Sequence, residues 1–325
     1  MQVGMSAAPP PSPPARAQPA LTGAAPRFDS AGATSLAGHH MKPAPFHYHA
    51  PATIAEAVTT LARHSVDAKV LAGGQSLVPV MAFRLARPGQ IIDINGIAEL
   101  DYIRTENGKL HIGALARHAA FHQPVEPGPL GRLLATVVQS IAHLPIRTRG
   151  TFCGSLAHAD ASSEWCATAA TLDAEIVLVS ARGRRVVTAS DYFKGFLVTD
   201  RADDELIVEV LLPLLAPGIR FGFEEFSRRA GDYALGLCLA VLKVDSRGMV
   251  EEARIGIGGA EPFSRRILQA EAALLGQPLD KAACARAAQT AAAAVDPMSD
   301  MQGDPEYRRD LVRAMTRRAL EKCLA

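Results

Sequence analysis

Apolar positions recur along this chain at two spacings, and the switch between them marks its elements. Ile54, Val58 and Leu61 stand three or four apart behind Thr53-Ile54-Ala55-Glu56, the order of a capping box, so a helix is expected over about 53–64. The apolar run 69–72 stops at Gly73-Gly74, which reads as a short strand ended by a turn. Further strands are expected over 91–94 and 110–113, then a helix over about 130–142, an irregular glycine-containing stretch over 145–155 and a helix over 165–172. Strand patterns return at 175–180, 185–188 and 205–212, and Pro213 with Ala216-Pro217-Gly218 punctuates the chain. Segments 220–227, 237–245 and 250–257 read as antiparallel strands, followed by helices over about 263–275, 279–294 and 304–323. This order implies an α+β chain, with a mixed first domain and a second domain that is sheet first and helices second.

At 325 residues the chain exceeds the size at which one core usually stops growing, so two domains are expected, over 41–217 and 218–325. Residues 1–40, rich in Pro, Ala, Gly and Ser, lack the apolar periodicity that offsets ordering entropy, and a disordered tail is expected, with Met41 as a candidate natural start. A formal net charge of +1 leaves no electrostatic footprint for a nucleic acid. Apolar stretches such as 287–295 fall short of the roughly 20 residues that span a bilayer. Cys153, Cys166, Cys238, Cys284 and Cys323 are scattered and odd in number, which fits a reducing cytoplasm and predicts neither a disulfide framework nor a metal centre. Histidines such as His47, His111, His118 and His158 show no ligand spacing and read as solvated or packed.

The main chemical signal is a pair of glycine-bearing turns, Ala72-Gly73-Gly74-Gln75-Ser76 and Thr151-Phe152-Cys153-Gly154-Ser155. Successive backbone N–H groups form an anion site only where no Cβ blocks approach, and two such turns suit the two charges of a diphosphate. Either turn taken alone is equally a tight connection, and Ser76 and Ser155 are equally helix N-caps. Asp160 and Glu164 stand either beside a cofactor's hydroxyls or in a helix first turn, and Arg147 and Arg149 either offset diphosphate charge or face a partner. Ile255-Gly256-Ile257-Gly258-Gly259 lacks the Rossmann spacing and reads as a strand end, and no Walker lysine follows any glycine turn.

Leu71-Ala72-Gly73-Gly74-Gln75-Ser76-Leu77 and Arg149-Gly150-Thr151-Phe152-Cys153-Gly154-Ser155 resemble the two FAD motifs of the medium subunits of the carbon monoxide dehydrogenase and xanthine dehydrogenase family of molybdenum hydroxylases. Pro45-Phe46-His47-Tyr48, Ile112-Gly113-Ala114-Leu115, His158-Ala159-Asp160, Asp191-Tyr192-Phe193, the stretch 228–234 and Pro305-Glu306-Tyr307-Arg308-Arg309 extend the resemblance in order over about 41–325. The resemblance implies an FAD domain of the vanillyl-alcohol-oxidase type, made of two α+β subdomains, and a smaller C-terminal domain. It implies FAD held by Ala72, Gly73, Gly74, Gln75, Ser76, Leu77, Thr151, Phe152, Cys153, Gly154, Ser155 and Asp160, with no catalytic residue of the chain's own. The implied partners are a small subunit with two 2Fe–2S clusters and a large subunit with the molybdenum cofactor, in a dimer of heterotrimers that delivers electrons through FAD to an external acceptor. A stand-alone flavin oxidoreductase and a flavin-free assembly subunit are the competing readings. Cys153 and Phe152 depart from the family's usual small residues, and a Cβ at 153 is expected to crowd the second turn.

Overall fold

The computed structural model describes residues 42–324. The tail expected over 1–40 lies outside them. A small parallel sheet in the order His47–His49, Gln90–Asp93, Ala68–Leu71 opens the chain. Helix Ile54–His64 packs on it through Ala57, Val58 and Leu61. Its start is capped twice: Thr53 Oγ1 accepts the Glu56 N–H at 3.2 Å, and the Glu56 carboxylate takes the Ala52 N–H at 2.8 Å.

The second sheet is antiparallel, in the order Ile103–Glu106, Lys109–Gly113, Leu206–Pro213, Glu175–Ser180, Gly183–Thr188. Leu206–Pro213 arrives last and inserts at the centre, which is why nearly all of it is buried. That insertion carries the chain before it, including the hairpin Phe193–Gly195 with Val198–Thr199, alongside the first glycine turn's neighbours.

The third sheet runs Arg220–Phe226, Gly236–Val244, Val250–Gly258, Arg265–Arg266, antiparallel throughout; helix Lys281–Ala294 packs on helix Pro305–Lys322, which packs on the sheet. Small side chains permit the close fit. Ala283, Ala287, Ala288 and Ala291 form the buried face of the first helix. A Cβ on Gly222 would overlap the Ala319 carbonyl of the second, so strand and helix backbones meet directly. The α+β expectation holds, as does the order of strands then helices.

Three local expectations change. The stretch 145–155 is not irregular but holds two short helices, Leu144–Arg147 and Phe152–His158. Four to seven residues are too few for a 3.6-residue period to show, whereas Pro145 in the first turn and the Thr151 cap supply local stability. The helix expected over 263–275 shrinks to Leu268–Ala272, because Arg265–Arg266 pairs as an edge strand with Val250–Gly258. The helix expected over 130–142 spans Pro129–Val137 and gives way to turns that end at Ala142, whose φ is +40°.

Candidate dinucleotide site

The strand Ala68–Leu71 delivers the first turn, and helix Leu77–Ala82 carries the chain away from it. Gly74 has φ +72°, a conformation only glycine adopts without cost. Among the described residues, the backbone N–H groups of Gly73, Gly74, Gln75 and Ser76 meet no protein acceptor, although Gln75 Nε2 braces the Gly73 carbonyl at 3.0 Å. Ser76 occupies the N-cap position, yet its hydroxyl makes no cap bond.

In the second turn Thr151 is the cap, with Oγ1 accepting the Gly154 N–H at 3.0 Å. A Cβ on Gly154 would fall 2.7 Å from that same Oγ1, so glycine there keeps the cap intact. Ser155 lies inside helix Phe152–His158 and is not its cap. The Cys153 N–H, in the helix's first turn, also lacks a protein acceptor among the described residues.

Gly73 brings the turns together: its Cβ would overlap the Arg149 carbonyl and lie 2.7 Å from Gly150 Cα. Across that contact runs a polar strap. Arg117 donates to the Arg149 carbonyl and to Asn95 Oδ1, each at 2.6 Å, and Asn95 Nδ2 donates to the Ala72 carbonyl at 2.8 Å. Asp93 Oδ1 in turn holds Asn95 through its backbone N–H and its amide. Burial alone would raise the Asp93 pKa, but bonds from Tyr48 and Asn95 and the nearby Arg149 charge leave it below the usual carboxylate range.

Between the turns opens a cleft of about 700 Å³. Ala72, Gly73, Gly74, Gln75, Ser76 and Leu77 line one side, and Thr151, Cys153, Gly154, Ser155 and Asp160 line the other. Asp160 also closes its own loop by accepting the Ser162 N–H at 2.8 Å. Phe152 is turned away and packs, with its ring tilted, in a buried cluster, 4.8 Å from the Trp165 ring and 5.8 Å from that of Phe121. The Cys153 thiol lies buried 3.7 Å from the Ile112 carbonyl, and burial pushes its pKa up, so the side chain is packed and unreactive. Arg147 Nη1 donates to the Ile141 and Ala142 carbonyls, at 2.8 and 2.9 Å, while its buried Nε meets no partner among the described residues.

The sequence reading missed three contributions to the cleft. Leu197, Val198, Thr199 and Arg201 form a wall brought in by the inserted strand Leu206–Pro213. Gly231, Asp232 and Tyr233 reach in from the loop between the first two strands of the third sheet. His118 lines the cleft as well, its Nδ1 accepting from Trp165 Nε1 at 2.9 Å. Of these, only 228–234 had a signal, as part of a motif. Glu164 lines the cleft too, with Glu225 close by; burial raises both carboxyl pKa values, with the Asp160 charge adding to it at Glu164 and the Glu164 charge at Glu225.

This geometry, a three-sided cleft floored by paired glycine turns with free N–H donors, defines a dinucleotide-binding flavoprotein fold. Residues 44–215 match the family described as FAD binding domain in molybdopterin dehydrogenase, and residues 221–323 match the CO dehydrogenase flavoprotein C-terminal domain. The 6-hydroxypseudooxynicotine dehydrogenase complex subunit alpha of Paenarthrobacter nicotinovorans is 38% identical over 284 residues, 87% of this chain and 96% of that protein. In a structure of carbon monoxide dehydrogenase from Hydrogenophaga pseudoflava, a chain 37% identical superimposes with a TM-score of 0.83, covering 87% of this chain and 98% of that one. A chain of quinoline 2-oxidoreductase from Pseudomonas putida 86 gives 0.81 at 37% identity, with 87% and 98% covered. The chain belongs to the FAD-binding medium subunits of molybdenum hydroxylases and is the FAD-carrying oxidoreductase subunit of that family. Among the described residues no helix is long and apolar enough to cross a membrane.

Proposed function

We propose that this chain grips the diphosphate of FAD across the two turns and relays electrons from a partner's iron–sulfur clusters to an external acceptor. One observation carries the reading: the N–H groups of Gly73, Gly74, Gln75, Ser76 and Cys153 meet no protein acceptor among the described residues, and all five residues line one cleft. The four N–H groups from Gly73 to Ser76 stand half-exposed at the cleft, where an anionic ligand would replace water as their acceptor.

In this reading Ala72 to Leu77, Thr151 to Ser155 and Asp160 hold the cofactor, with Phe152 contributing only through its backbone position. The FAD-binding domain spans 41–217 and the C-terminal domain 218–325, which supplies Tyr233 as a cover. FAD when bound supplies one- and two-electron chemistry. The chain's own work is to bind it, to exclude water with the 197–201 wall and Tyr233, and to set the field with Glu164 and Glu225. The partners are a 2Fe–2S small subunit and a molybdenum-cofactor large subunit, in a dimer of heterotrimers. A cytoplasmic setting belongs to the same reading and accords with five free thiols. Relatives of similar identity are named for compounds as unlike as quinoline and 6-hydroxypseudooxynicotine, which supports leaving substrate choice to the large subunit.

The test is to purify the chain alone and with both partners, and to follow flavin absorbance on adding the substrate of the complex. Bleaching only with both partners present is the expected result. Bleaching by substrate in the chain alone would favour a stand-alone flavin oxidoreductase, and a complex without flavin would favour an assembly subunit.

A further inference from the structure

Resting on the reading that a diphosphate lies across the two turns, we infer that His118 is a further ligand, donating from Nε2–H to a diphosphate oxygen. The ring is only 5% exposed, and what remains open faces the cleft. Its tautomer is fixed by a neighbour. Trp165 Nε1 is solely a donor and reaches Nδ1 at 2.9 Å, so Nδ1 carries the lone pair and Nε2 the proton.

Nε2 finds no acceptor among the described residues and, unlike the ring as a whole, is not sealed off, so its N–H is open to a ligand in the cleft. Gly150 leaves it uncovered. That glycine is not in the left-handed region, so its backbone does not demand glycine, yet a Cβ there would fall 2.5 Å from Nε2 and 2.7 Å from Cδ2. The uncovered edge therefore sits where Gly73 meets Arg149 and Gly150, at the junction of the two turns. Burial, then the Arg117 and Arg147 charges, pushes the His118 pKa down to about 4. At neutral pH the ring thus presents a donor without the desolvation cost of a buried charge.

The experiment uses the complex stripped of flavin and titrated with FAD and with ADP. His118→Phe combined with Trp165→Phe removes the donor and also the indole N–H that would otherwise be orphaned. We expect FAD and ADP each to bind about ten- to a hundredfold more weakly, as for loss of a hydrogen bond to a charged group. The flavin-free melting temperature should stay within a few degrees of the parent. His118→Gln, which can accept from Trp165 and donate into the cleft, should restore affinity to within about threefold of the parent, given the similar worth of such bonds. Parental FAD affinity in the double variant would overturn the inference. If that variant does not fold, the structure of the FAD-loaded parent decides: Nε2 within about 3.2 Å of a phosphate oxygen supports it, and a separation beyond about 4 Å from all of them overturns it. A parent complex that takes up no FAD would overturn the cofactor assignment itself, and this inference with it.

Discussion

Replacing Gly73 with alanine should pry the two turns apart. The new Cβ would stand 2.7 Å from Gly150 Cα and overlap the Arg149 carbonyl, both of them backbone, so no side chain can swing aside. Ordinary carbon contacts begin near 3.5 Å, which requires the turns to separate by about 1 Å. That movement stretches the strap, whose bonds of 2.6 Å from Arg117 to the Arg149 carbonyl and 2.8 Å from Asn95 to the Ala72 carbonyl span the contact. Lengthened by about 1 Å, neither remains a hydrogen bond. Overpacking costs about 1–3 kcal/mol and each of the two lost bonds about 0.5–1.5 kcal/mol, so a loss of roughly 2–6 kcal/mol is expected. Separation also takes one turn's donors out of reach of the diphosphate, and one charge-assisted bond lost weakens FAD by at least about tenfold. The assay is thermal unfolding of the flavin-free complex beside FAD titration of the same preparation. A Gly73→Ala complex with the parent's melting temperature and FAD affinity would refute the reasoning.

Cys153→Gly should leave FAD affinity within about twofold while lowering stability by about 1 kcal/mol or more, because it removes a packed thiol and places glycine in a helix; FAD binding tightened tenfold would show that the thiol crowds the turn. Arg185→Met strips the bidentate partner, at 2.6 and 2.7 Å, from buried Glu205 and should cost about 1–3 kcal/mol, less than for a fully enclosed pair since Arg185 remains partly open to water. Arg185 hydrogen bonds, against burial, hold the Glu205 pKa below its usual value, so this stability is present above about pH 4.5 and fades as pH falls; Arg185→Met should flatten that acid limb in urea unfolding, and an unchanged limb would contradict it. His118 works in the same direction: with a folded pKa of about 4 against 6.5 unfolded, the unfolded chain binds the extra proton between them, and stability drops as pH falls through that window. Glu164 and Glu225 oppose it, because burial raises their folded pKa values to about 7 and about 8, so their contribution is full below about pH 4.5 and is lost as pH rises from there to about 8; Glu164→Gln should shrink that decline, and a parental pH profile in the variant would exclude Glu164 as a cause.

What was legible in the chain was local. The Thr53–Glu56 cap, the first three strands of the third sheet and helix Pro305–Lys322 follow from near neighbours and periodicity, and the structure has them. The turn at Gly73-Gly74 was legible as a break after an apolar run, but the reason for Gly73 was not, since its constraint comes from Arg149 and Gly150, far along the chain. Phe152 is a site residue by its place in the second motif of the family resemblance. One step into a helix instead rotates its side chain away from the cleft and into the Phe121–Trp165 cluster. The wall at 197–201 had no signal of its own, because it is placed by the late insertion of Leu206–Pro213 between strands made earlier. His118 read as a packed histidine, and its packing against Trp165 is real; what the sequence lacks is the direction of the ring's other nitrogen.

The most direct measurement of the central claim is the flavin stoichiometry of the complex purified with this chain, followed by its uptake of added FAD after stripping. One FAD per copy of this chain is expected, regained at micromolar concentrations and lost when the two turns are forced apart. A complex carrying its iron–sulfur clusters that contains no flavin and takes none up would contradict it.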